Sequence, residues 1–213
     1  MEIEKLLNDE VLSLLELKED MLFHKLSKDD IAYYIKESIN IGKNLAKEYK
    51  DKNIENILKE NNVEIKVEKD SLGKKDSIRA EIHFDKKTKE IKIYEDSINK
   101  MFNTVKDSSL KINKKKIYEI HLAHEFYHFL EFKDDNYTNN KLKKIVSISI
   151  GPLKRKSTIL KTREIAAHAF CKELLNLKFH PKALDYIYLA KGNKDFEDKT
   201  IKLIKELKKE YLE

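Results

Sequence analysis

Between Asn113 and Lys133 the apolar residues recur every three or four positions, and the same stripe carries three histidines. Ile117, Ile120, His121, His124 and His128 share one face of a helix, for which Asn113 supplies an N-cap. A stripe that is apolar except for its imidazoles faces inward. The chain must therefore fold around this helix and give the buried imidazoles something to bind. Within the stripe, His124-Glu125-Phe126-Tyr127-His128 fits the pattern H-E-x-x-H. Histidines four residues apart point from one face, which suits bonds from both to one zinc ion. Glu125 then lies beside the metal without binding it, where it can take a proton from water.

A catalytic zinc takes three protein ligands and keeps one position open, so a third ligand is needed. Three candidates compete. Asp134 occupies the place of the last histidine in the longer pattern H-E-x-x-H-x-x-G-x-x-H, but the glycine that turns the chain back is replaced by Glu131. Glu131 itself reads as a solvated acid. Glu164 lies downstream in Arg163-Glu164-Ile165-Ala166-Ala167-His168-Ala169-Phe170, on a second helix whose alanines permit a close approach to the first. His168 shares the Glu164 face and is able to replace it, to orient it or to bind an oxyanion. Glu164 is the favoured ligand.

Other candidates are weaker. His121, one turn before His124, is either a group that orients the site or a satisfied core histidine. Tyr137, Tyr186 and Tyr188 are each able to supply an oxyanion donor, and the sequence does not choose among them. His24, His83 and His180 are expected to be unrelated to the metal, and Cys171 to be a buried small hydrophobe.

The remainder of the chain predicts an α+β fold. Helices are expected over Glu2 to Leu17 and from a Ser27–Asp30 capping box to about Lys50, with a further one over Asn53 to Asn61. Alternation then marks strands at Val63 to Val67, Ile78 to Phe84 and Ile91 to about Glu95, joined by turns at Ser71 to Lys75 and Asp85 to Thr88. These make a small antiparallel or mixed sheet of about three strands, read as a meander, packed on the histidine helix. A short helix at Ser97 to Val105, a polar loop at Asp134 to Asn140 and an ambiguous stretch at Lys141 to Ile150 follow. Gly151-Pro152 breaks the chain before a long helix over Lys154 to Leu177. Helices over Pro181 to Lys191 and Asp195 to Glu213 end it. With 4 Gly and 2 Pro in 213 residues and no linker, one domain is expected: helices over 1–62, a catalytic core over 63–177 and C-terminal helices over 178–213.

Composition narrows the partners. The net charge is +6, and the lysine runs at 114–116 and 154–156 read as solvated helix faces, so direct nucleic-acid binding is not expected. Cys171 is the single cysteine, which fits a reducing compartment. The acids in Met1-Glu2-Ile3-Glu4-Lys5 and the broken apolar run at Val11 to Leu17 argue against a secretory signal or a span, so a cytoplasmic protein with no membrane partner is expected.

His124-Glu125-x-x-His128, then Glu164-x-x-Ala167-x-x-Phe170 and Leu174-Leu175, resemble the ImmA/IrrE metallopeptidase family, a gluzincin type, over roughly Val63 to Leu177. The chain departs from the family pattern in Tyr127 where Gly is usual, His168 where Asn is common, and Asn176-Leu177 where Met-Pro often follows. The resemblance implies a zincin-like fold, zinc held by His124, His128 and Glu164, and Glu125 as general base. It also implies cleavage of a helix-turn-helix repressor that silences mobile-element, phage or DNA-damage genes. An edge strand above the metal aligns the substrate in such folds. The expected activity is hydrolysis of a peptide bond in a specific protein. The alternatives are a non-catalytic zincin-like regulator of a DNA-binding partner and a basic nucleic-acid-binding protein with a structural zinc.

Overall fold

Asn8 interrupts the helix expected over Glu2 to Leu17. Its side chain accepts from the Val11 N–H at 2.9 Å, so helix α1 runs over Asp9–Lys18, preceded by a 3₁₀ turn at Ile3–Lys5. Satisfying a free first-turn N–H suits asparagine better than a helix interior does. The computed structural model describes residues 1–69, 78–85 and 87–212, so the turn expected at Ser71 to Lys75 lies outside the described residues. The capping box forms: Ser27 Oγ accepts from the Asp30 N–H, and the Asp30 carboxylate accepts from the Ser27 N–H. It opens α2, Lys28–Lys47. Asn53 caps α3, Ile54–Glu60.

The three expected strands are β1, Glu64–Glu68, β2, Ala80–Phe84, and β3, Lys89–Tyr94. Their order is β1-β3-β2, with β3 parallel to β1 and antiparallel to β2, so the sheet is mixed and not a meander. Alternation assigns a face to each strand but not a place in the sheet. The middle place falls to β3, whose Ile91 and Ile93 are fully buried. Asp85 Oδ1 accepts from the Lys87 and Thr88 N–H groups in the turn between β2 and β3. Helix α4, Glu95–Val105, leads to the histidine helix α5, Lys114–Lys133, which Asn113 caps by accepting from the Lys116 N–H.

Two expectations past α5 need correction. The polar loop at Asp134 to Asn140 contains a short helix, α6, Thr138–Lys141. The long helix over Lys154 to Leu177 is instead two elements. An antiparallel hairpin of β4, Ile145–Ile150, and β5, Leu153–Ser157, turns at Gly151, whose φ is 57°. Helix α7, Thr162–Leu174, follows. Once β4 forms, pairing carries β5 along with it, although Lys154-Arg155-Lys156 alone has no strand pattern. Helices α8, Ala183–Ala190, and α9, Lys194–Tyr211, complete the chain; Pro181 sits in the turn before α8 rather than in its first turn.

Packing places α7 between α2 and α5. Gly42 on α2 sits so close to α7 that an added Cβ would lie 2.1 Å from the Ala166 carbonyl oxygen. Glycine is required there for contact, not for backbone conformation. Ala166 and Ala167 are fully buried in the seam, as their small size predicts. Phe84 of β2 meets Phe129 of α5 edge-on at 5.4 Å, and Tyr127 of α5 meets Phe170 of α7 at 5.5 Å. One apolar core runs from Ile3 through α5 and α7 to Leu207. Among the described residues, no helix is long and apolar enough to cross a membrane.

Candidate metal centre

Helices α5 and α7 bring His124, His128 and Glu164 together. The two Nε2 atoms are 3.2 Å apart. Glu164 Oε2 lies 3.3 Å from His124 Nε2, and Glu164 Oε1 lies 3.5 Å from His128 Nε2. Bonds of about 2.0–2.1 Å to a tetrahedral ion separate its ligand atoms by roughly 3.3–3.4 Å. The pair of imidazoles has about that spacing, each faces one oxygen of the Glu164 carboxylate, and one ligand atom from each of the three groups lies within 4.8 Å of the others; two imidazoles with a carboxylate suit zinc. Glu164, the favoured third ligand, is brought to the pair. His168 and Asp134 are not part of this cluster among the described residues.

Glu131 is the residue that sequence reasoning misplaced. It is only 3% exposed, and its carboxylate binds His128 Nδ1 at 3.1 Å. It also accepts from the Thr138 N–H and hydroxyl, each at 2.8 Å, and from Arg163 Nε at 2.9 Å. A carboxylate on Nδ1 fixes the tautomer and turns the Nε2 lone pair towards the metal position. Arg163 directly precedes Glu164, so the Glu131–Arg163 pair ties together the two helices that carry the triad. The guanidinium rests over the rings of Tyr137, at 4.9 Å, and Phe132, at 5.4 Å. That contact makes Tyr137 a support for Arg163.

The electrostatics agree with this arrangement. Burial alone would lower the His128 pKa, but Glu131 and Glu164 outweigh it and raise the pKa to about 9. Burial would raise Glu164, yet His124 and His128 hold it far below the ordinary carboxylate range. The site therefore favours positive charge between two carboxylates, which a divalent cation supplies.

A cleft of about 230 Å³ opens beside the ligands, lined by His124, Glu125 and Glu164 and by residues from β2 and α8. His168 also lines it, with its ring 4.9 Å from that of His124 and its Nδ1 buried without a hydrogen-bond partner. Burial, then the neighbouring His124 and His180, pushes the His168 pKa well below its usual value. His121 lines the cleft too, with Nδ1 2.8 Å from the Ile117 carbonyl, and burial and Arg79 lower it to about 4. Both rings are thus neutral at neutral pH. His180 packs 5.1 Å from His168, one ring further from the ligands.

Arg79 was not singled out from the sequence, yet it lines the cleft, bonded to Asp185 at 2.7 Å and stacked over Tyr188 at 5.1 Å. The legible signal was rarity: the chain has three arginines, and Arg79 and Arg163 are both committed to this region. Tyr137, Tyr186 and Tyr188 are not among the residues lining the cleft. His24 and His83 lie outside it, and Cys171 is fully buried, with burial raising its thiol pKa. Protein-family models, curated proteins and solved structures give no match to this chain.

Proposed function

We propose that the chain is an intracellular zinc-dependent metallopeptidase of the ImmA/IrrE type that hydrolyses one peptide bond in a specific protein. A helix-turn-helix repressor is the substrate class that the family resemblance implies. The observation that carries this proposal is the convergence of His124, His128 and Glu164, one ligand atom from each within 4.8 Å of the others, with Glu125 on the wall of the same cleft.

Zinc, when bound there, makes water acidic and polarises a carbonyl. Glu125 accepts a proton from the attacking water and delivers it to the leaving amine. Glu131 keeps His128 in the Nδ1–H tautomer, and Arg163 and Thr138 keep Glu131 from swinging into the ligand set. His168, neutral through burial, offers a ring N–H to the developing oxyanion. Strand β2, at the edge of the sheet among the described residues and with its first residue Ala80 bordering the cleft, pairs with an extended substrate and lays its scissile bond across the site.

The test is incubation of the purified protein with helix-turn-helix repressors from its own genome, read by mass spectrometry. Cleavage at a single bond is expected, abolished by a chelator and restored by added zinc. A complex that forms without cleavage under either condition would favour the non-catalytic regulator.

A further inference from the structure

The hairpin of β4 and β5 plays no part in the metal centre, and its surface is unlike the rest of the molecule. From Asn136 to Arg163 the chain contains eight Lys or Arg and no Asp or Glu. Three of these cations are engaged at the base: Lys143 with Asp30, Lys161 with Glu16, and Arg163 with Glu131. Lys144, Lys154, Arg155 and Lys156 are exposed, with no acidic partner among the described residues. The same hairpin carries four of the nine large hydrophobic residues exposed among the described ones. Ile150 and Leu153, cross-strand partners flanking the Gly151-Pro152 turn, are 71% and 75% exposed. Register puts Ile148 and its cross-strand partner Arg155 on their face, further from the turn, and places Lys154 on the opposite one.

The hairpin therefore presents an apolar tip with cations behind it, Arg155 on the same face and Lys154 on the other, none with an acidic partner among the described residues. Its root is anchored: Lys25 Nζ donates to the Ser147 carbonyl, Tyr34 to the Lys143 carbonyl, and Asn139 to Thr158 Oγ1. Against the expectation of no membrane partner, which rested on the lack of a spanning segment or signal, we infer that this hairpin is a docking element for an anionic lipid surface, entered tip first. Branched aliphatic side chains at the tip gain by leaving water at the headgroup boundary, while lysine and arginine stems reach phosphate groups from behind it. The cations exclude a second copy of the hairpin as occupant, because like charges would face each other. A nucleic-acid groove would satisfy the cations but leave the Ile148, Ile150 and Leu153 face in water. A bilayer surface satisfies both. The inference is independent of the proposed hydrolysis.

Co-sedimentation of the purified protein tests it, with vesicles of phosphatidylcholine alone or with phosphatidylglycerol added. Binding only to the anionic vesicles is expected, weakened by salt. Ile150→Ser with Leu153→Ser, and separately Lys154→Glu with Lys156→Glu, should each lower the partition coefficient more than tenfold. Unchanged circular dichroism and thermal unfolding establish that the exposed substitutions leave the fold intact. The inference fails if neither vesicle binds, if both bind equally, or if the tip variant binds as the parent does. It fails also if a DNA duplex or polyglutamate is bound more tightly than the anionic vesicles, since the hairpin then serves a polymer.

Discussion

Glu125→Gln is expected to reduce peptide-bond hydrolysis by about 10²–10⁴-fold, the usual contribution of a general acid–base group, while the protein still retains zinc. Glutamine keeps the volume and can accept a hydrogen bond, but it cannot take the proton from water. The three converging groups are His124, His128 and Glu164, so the metal site remains whole. Initial rates from the cleavage assay, beside zinc content by mass spectrometry, check both halves. A variant that lost zinc along with activity would make residue 125 part of the metal's support. A variant of undiminished rate would remove it from the chemistry.

The second large effect belongs to Glu131. Replacement by alanine is expected to weaken zinc binding by about 10–100-fold, the range for removal of a carboxylate that orients a histidine ligand. It is also expected to destabilise the fold by about 3–5 kcal/mol, because Arg163 loses its partner in a buried pair. Arg163 keeps part of its exposure and its aromatic contacts, which places the loss towards the lower end of that range. Competition with a chromophoric chelator reads the first effect, and denaturant unfolding of zinc-free protein reads the second. Glu131→Gln separates the two: it retains acceptors for Thr138 while removing the charge. Zinc affinity unaffected in both variants would contradict the orienting role.

The contrast between Glu164 and Glu131 explains what was legible in the sequence. Helix spacing is local, so His124 and His128 were visible as a pair. Glu164 was visible because a carboxylate among buried alanines on a second helix has few other uses. Glu131 looked solvated because its burial depends on the chain folding back at Thr138, which donates two of its hydrogen bonds. Nothing within α5 announces that return. The hairpin was hidden for a similar reason: Lys154 to Ser157 has no alternation of its own and becomes a strand through its pairing with β4. The cleft wall was the least legible part, since Arg79 meets Asp185 across about half of the chain's length. The sheet's composition was readable, but its order was not, because alternation is blind to which strand lies in the middle.

Every catalytic role proposed above depends on one metal ion gripped from two helices. Zinc K-edge X-ray absorption on protein loaded with one equivalent of zinc measures this directly. The expected spectrum has two imidazole nitrogens and carboxylate oxygen at about 2.0–2.1 Å, with the imidazole signal lost in His124→Ala. Failure to retain zinc through gel filtration, or a sulfur ligand at about 2.3 Å from Cys171, would contradict it.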